Sequence, residues 1–181
     1  MDVQPRLRGR FGRPFTFVEQ CPSTQRLLDG AAEGAVAAAD EQTEGRGRLG
    51  RTWDAPRGTS LLFSIALTPD VPPERLPELS LIAGAAVAEA IAAETALTPE
   101  LKHPNDVLIG GRKVCGILAE AVEGRVVLGI GVNVAQTADQ LPPAATSLAL
   151  EGAQVDRSAL LATILERLEN GYDRWVTSSG T

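Results

Sequence analysis

One histidine and two cysteines in 181 residues leave little for a metal or a disulfide to use. Cys21 and Cys115 lie far apart, and no Cys/His cluster has metal-ligand spacing, so no metal-ligating residue set is expected. A disulfide framework is excluded on the same count, and a reducing cytoplasm is the natural compartment. A long apolar run is missing too. The most apolar segment, Leu81 to Ala93, contains Glu89 and is shorter than the roughly 20 residues that span a bilayer. Met1 to Arg13 carries four arginines with no apolar run behind it, which rules out a secretory signal. A basic surplus is absent as well. Lys plus Arg number 17 against 23 Asp plus Glu, a net charge of -6. That argues against a general binder of nucleic acid or membrane surfaces, since both need a broad basic face. There is no internal repeat and no long low-complexity segment.

What is there is an ordinary globular composition, 44% hydrophobic and 22% charged, long enough for one domain with a sizeable core. Against the acidic background one loop stands out: Gly45-Arg46-Gly47-Arg48-Leu49-Gly50-Arg51. Its three glycines let backbone approach a ligand closely. Its three guanidinium groups offer planar forks suited to carboxylate or phosphate. The rival readings are a solvated, mobile loop and a weak RNA-binding segment.

Met1 to Pro14 reads as an irregular arm. Phe15 to Val18 is a short strand, and Pro22-Ser23-Thr24 opens a helix running to about Ala32. Ser23 or Thr24 serves there as an N-cap, or presents polar groups at a helix N-terminus to an anion. Ala35 to Gln42 is a strand whose polar end, Glu41-Gln42, reaches a loop from Thr43 to Thr59 that is longer than usual. Trp53 anchors the far end of that loop or takes a plain core role. Ser60 to Leu67 is a strand, and Arg75 to Glu94 a helix whose alanines suit close packing on a sheet.

Gly110-Gly111 between two apolar runs signals a two-residue hairpin. A tight turn pairs Ile109 with Arg112, Leu108 with Lys113 and Asp106 with Cys115. Alternation then puts Asp106, Leu108, Lys113, Cys115 and Ile117 on one face. Lys113 is either a snorkelling surface lysine or an amine held near a carboxylate. Arg125 to Val134 is a strand whose Gly129 and Gly131 mark a bulge or a close backbone approach. Asn133 in it is a satisfied buried amide or a reader of a purine edge. Asp156 caps a last helix with an apolar stripe of Leu160, Leu161, Ile164, Leu165 and Leu168, continued by Tyr172 and Trp175.

Three blocks in order, the loop 45–51, Lys102-His103-Pro104-Asn105-Asp106 with Gly111 to Leu118, and Gly129-Ile130-Gly131-Val132-Asn133, resemble the catalytic domain of biotin protein ligases. Ser23-Thr24 upstream fits the same pattern. The likeness runs from about Phe15 to Trp175. It implies an α+β fold of the class II aminoacyl-tRNA synthetase and biotin-ligase type, a mixed and largely antiparallel sheet flanked by helices, over residues 15–176. Residues 1–14 would be an arm and 177–181 a tail.

The resemblance further implies a two-step reaction. Biotin and ATP, with Mg2+, give biotinyl-5′-adenylate, and the acyl group passes to a lysine of the biotin carboxyl carrier protein of acetyl-CoA carboxylase. Ser23, Thr24, Gln25 and Gln42 would line the biotin and adenylate site. So would Gly45, Arg46, Gly47 and Arg48 from the loop, with Gly116 and Ile117 on the biotin side. Lys113 and Arg48 are the implied catalytic pair. Asn105, Asn133 and Arg51 would lie near the nucleotide. Lys113 in a dry site would stabilise charge on the carboxylate and α-phosphate, and the arginine loop would close over the adenylate.

The chain departs from the family at His103, where tryptophan is usual, and at Gln25, where asparagine is usual. No DNA-binding segment is expected before Phe15, nor a β-barrel domain after Trp175; no DNA or membrane partner is expected, and a homodimer is compatible with the family. Lipoate or octanoate ligation is the rival activity, and a non-catalytic biotin or adenylate binder the rival class.

Overall fold

The computed structural model describes residues 1–178, so the end of the expected tail lies outside it. Seven strands form one sheet: β1 (Phe15–Cys21), β2 (Val36–Gln42), β3 (Ser60–Leu67), β4 (Glu100–Lys102), β5 (Asp106–Ile109), β6 (Arg112–Val122) and β7 (Arg125–Asn133). Their spatial order is β1-β2-β3-β7-β6-β5-β4. Only β1 and β2 run parallel; every other neighbouring pair is antiparallel. Two helices, α1 (Glu78–Glu94) and α2 (Arg157–Thr177), pack on one face of this sheet.

Alternation along the strands decides what each face carries. In β3, Leu61, Phe63, Ile65 and Leu67 enter the core under the helices. In β7, Val126, Leu128, Ile130 and Val132 do the same. α1 adds Leu79, Ala83, Ala86, Val87, Ala90 and Ile91, its small residues allowing close approach to the sheet. Residues Pro73–Glu94, a 3-10 turn followed by α1, are long and apolar enough by composition to cross a membrane, beyond what the sequence reading allowed. α1 instead packs its buried side into this core. α2 supplies the expected stripe, and Asp156 caps it by accepting the Ser158 N–H at 2.7 Å.

Residues 1–14 are more than a trailing arm. Val3, Leu7 and Phe11 are buried in the main core. The Phe11 ring packs on Tyr172, and Arg10 pairs with Asp173 and Glu169 of α2.

Two expectations fail. No α-helix follows Ser23-Thr24. Only a 3-10 turn, Arg26–Leu28, forms there, because Thr24 is engaged by Gln42 and Ser64 rather than capping a helix. The β5–β6 hairpin also departs from simple pairing. Ile109 pairs with Arg112 and Leu108 with Lys113 as expected, but Val107 pairs with Cys115 and Asp106 with Gly116. Val114 is the extra residue of a β-bulge.

Candidate active site

The bulge sets the chemistry of the cleft. Without it Lys113 would share the face of Cys115 and Ile117, which point into the core beneath the helices. An inserted residue reverses the parity of the strand, so Lys113 emerges on the opposite face with Gly116. Asp106 and Leu108 are on that face as expected; Cys115 and Ile117 are not. The Lys113 ammonium lies 2.8 Å from Asp106 Oδ1 and 5.5 Å from the centre of the Trp53 ring. Ile117 reaches the cleft by its backbone only, since its side-chain tip lies near Gly84 of α1.

The cleft floor is the helix-free face of the sheet, and three of its lining positions are glycine: Gly116, Gly129 and Gly131. A β-carbon on Gly116 would sit 2.6 Å from the Trp53 ring and 3.1 Å from Lys113 Nζ. One on Gly131 would sit 2.7 Å from the same ring, and one on Gly129 3.2 Å from the Gln25 carboxamide. These glycines therefore answer to close approach by side chains, as a glycine in a strand suggests. Trp53 thus anchors the far end of the loop rather than taking a plain core role: its ring lies against Gly116 and Gly131 of the floor and its backbone N–H donates to Gly45.

At the inner end, Gln42 Oε1 accepts from the Thr24 N–H at 2.8 Å and from its hydroxyl at 3.0 Å. Thr24 Oγ1 and Ser64 Oγ are 2.7 Å apart. Gln25 spans the strands, its Nε2 donating to the Leu118 and Val127 carbonyls. Ser23, Thr24, Gln25, Gln42 and Ser64 thus form a buried or half-buried polar end wall.

The glycine-arginine loop closes the cleft from above. Trp53 N–H donates to the Gly45 carbonyl, and the Trp53 carbonyl comes so near that a β-carbon on Gly45 would lie 2.2 Å away. Gly47 N–H donates to the Arg51 carbonyl at 2.7 Å, and the tip turns through Leu49 and Gly50, both at positive φ. Arg46 pairs with Glu120 at 2.9 Å. Arg48 Nη1 donates to Asn105 Oδ1 at 3.0 Å, and Asn105 Nδ2 in turn donates to the Ile117 carbonyl at 2.8 Å.

Nearly all the expected residues therefore meet. Ser23, Thr24, Gln25, Gln42, Arg46, Gly47, Arg48, Asn105, Lys113, Gly116 and Ile117 line a narrow inner cleft. Gly45 lies behind, in the loop's own fold. Arg51 and Asn133 line a second, outer cleft with Asp106, Pro142 and Pro143. Lys113 and Trp53 belong to both clefts. Asn133 is 4% exposed and makes its hydrogen bonds within the protein, which favours the buried-amide alternative.

Sequence reading did not single out Ser64 or give Trp53 its place. Ser64 lies at a cleft-facing position of β3 opposite Gly129, and that polar residue in an apolar strand was the available signal. His103 is exposed, so exchanging a large ring for imidazole there leaves the core intact. Cys115 is fully enclosed in the core, and burial pushes its thiol well above the ordinary range. It is therefore no nucleophile.

The family model for the biotin/lipoate A/B protein ligase family matches residues 17–136. Among curated proteins, the bifunctional ligase/repressor BirA of Bacillus spizizenii is 37% identical over 94% of this chain and 57% of its own length. The biotin--[acetyl-CoA-carboxylase] ligase of Mycobacterium tuberculosis is 41% identical over 90% of this chain and 65% of its own. The chain thus spans little more than half the length of the Bacillus relative. Among solved structures, the biotin protein ligase of Aquifex aeolicus in complex with biotin and ATP superposes with a TM-score of 0.82 at 34% identity, over 91% of this chain and 72% of that one. With the family model running from β1 past the end of β7, across every strand that floors the cleft, the chain belongs to the biotin/lipoate A/B protein ligase family.

Proposed function

We propose that the protein is a biotin protein ligase, forming biotinyl-5′-adenylate from biotin and ATP and passing the biotinyl group to a lysine of a biotin carboxyl carrier protein. The observation that carries this reading is the place of Lys113. It stands on the wall shared by an inner cleft with a polar end and an outer cleft beside the arginine loop. The carboxylate end of an acid bound in the inner cleft and the α-phosphate of a nucleotide bound in the outer one would meet there.

Biotin's ureido group suits the inner wall, where Thr24, Gln42 and Ser64 offer both donors and acceptors. Its carboxylate oxygen then attacks the α-phosphorus, a new P–O bond forms, and the bond to the β-phosphate breaks to release pyrophosphate. Lys113, steadied by Asp106 at 2.8 Å, neutralises charge on the carboxylate and the phosphoryl oxygens. Arg46 and Arg48 close over the mixed anhydride and keep water off it. In the second step the carrier lysine, as a neutral amine, attacks the acyl carbonyl. The carbonyl–phosphate bond breaks, AMP leaves, and the amine proton is lost.

Among the described residues no three His, Cys, Asp or Glu side chains cluster as a metal site. A magnesium ion brought with the nucleotide would find a carboxylate oxygen at Asp54 of the outer cleft, Asp106 there being paired with Lys113. Such an ion would screen phosphate charge. The two buried thiols suit a cytoplasmic setting.

Exchange of labelled pyrophosphate into ATP tests the reading. Exchange should depend on added biotin and be absent with lipoate or octanoate. Exchange with lipoate instead would assign the rival activity, and biotin binding by calorimetry without exchange would make the protein a binder only.

A further inference from the structure

Lys113 sits where β6 has lost its regular neighbour. Pairing with β7 stops at Cys115↔Val132. Beyond it the Lys113 backbone is held by a different stretch of chain. Its N–H donates to the Ala144 carbonyl at 2.9 Å, and its carbonyl accepts the Thr146 N–H at 2.8 Å, a parallel bridge centred on Ala145. Residues 144–147 are thus spliced into the sheet beside the amine-bearing residue. Ala144 takes a φ of 65°, a conformation uncommon for a residue with a β-carbon and one in which its neighbours hold it.

The constraint comes from buried side chains. Asn133 Nδ2 donates to the Thr146 carbonyl at 3.0 Å. Gln136 Nε2 donates to Asn133 Oδ1 at 3.0 Å and to Ser60 Oγ at 2.5 Å. Ser147 Oγ donates to the Gln136 carbonyl at 2.7 Å. Asn133, Gln136, Thr146 and Ser147 are each at most 4% exposed. At the outer side Thr146 Oγ1 donates to Glu151, which also pairs with Arg112, the residue before Lys113. A chain of hydrogen bonds therefore runs from the rigid start of β3 to the backbone of Lys113. In a low-dielectric interior such a chain holds its members in one arrangement, because any break strands a buried polar group.

We infer that Gln136 is a positioning residue for Lys113, acting through Asn133 and Thr146. The inference rests on the reading of Lys113 as the cation of the adenylation step. Gln136 touches neither cleft wall, so it sets where the ammonium stands rather than what binds. A displacement near 1 Å of such a group costs up to about a hundredfold in rate.

The test uses the full chain with Gln136→Met, close in shape and without donors. Biotin-dependent pyrophosphate exchange is measured with kcat and the KM for biotin separated, alongside thermal unfolding and a parallel Lys113→Ala variant. The variant should remain folded, with kcat down about tenfold or more and the KM for biotin essentially unchanged, the pattern of an interaction lost only in the transition state. If Gln136→Met does not fold, Ser60→Ala decides; it removes the hydroxyl that anchors Gln136 Nε2 at the start of β3 and should lower kcat in the same way. A folded variant with undiminished kcat, or one whose KM for biotin rises in step with the loss, overturns the inference while Lys113→Ala remains inactive. Should Lys113→Ala keep exchanging, the underlying reading fails and takes the inference with it.

Discussion

The two faces of the one sheet carry different kinds of residue. Under the helices β3 presents Leu61, Phe63, Ile65 and Leu67, and β7 presents Val126, Leu128, Ile130 and Val132. Toward the cleft the intervening positions of β3 are Ser60, Leu62, Ser64 and Ala66, and those of β7 are Val127, Gly129, Gly131 and Asn133. The helix side needs volume, since close packing there excludes water and holds the strands. The cleft side needs its absence, because Trp53, Gln25 and Lys113 lie directly on the floor. Packing is built on one face and the cleft on the other, and the cleft's polar groups come from strand positions such as Gln42, Ser64 and Asp106 as well as from loops and a bulge.

Single substitutions at neighbouring positions should separate the two. Phe63→Ala, under the helices, should lower unfolding free energy by about 3–5 kcal/mol, read by denaturant titration. Gly116→Ala, on the cleft side, should change stability far less, yet lower the exchange rate about tenfold by pushing Trp53 and Lys113 off the floor. Equal losses of stability from both would break the contrast. Arg48→Ala removes the link to Asn105, and through it to the Ile117 carbonyl, and should leak free adenylate into solution. A thin-layer assay for released adenylate checks this. If only thermal stability falls, the loop is a structural strap.

The smallest effect belongs to the far side of the molecule. The Arg10 hydrogen bond holds the Asp173 carboxyl below its usual range. A depressed carboxyl contributes stability above the unfolded value, near 3.9, and loses it as pH falls through the folded one. Both side chains are about half exposed, so the contribution is at most about 1 kcal/mol. Arg10→Ala should flatten the acid limb of the stability curve by that amount and leave exchange at pH 7 untouched.

Most of this was legible in the amino-acid order. β3 has the expected ends, and the glycine-arginine loop, the Lys102–Leu118 block and Gly129–Asn133 come together around two adjoining clefts that share Trp53 and Lys113. What escaped was local geometry set by tertiary partners. Ser23 and Thr24 look like a helix start, but Gln42, distant in sequence, takes the Thr24 donors. The bulge at Val114 leaves no compositional mark, yet it decides that Cys115 faces the core while Lys113 faces the cleft. Trp53 has the composition of a core residue; its place over Gly116 and Gly131 depends on how the long loop folds back.

The most direct test of the account is single-turnover formation of biotinyl-adenylate by Lys113→Ala, run beside a thermal melt and biotin calorimetry. The account predicts a folded protein that still binds biotin and makes no detectable adenylate. Adenylate formed at the unaltered rate by that variant would contradict it.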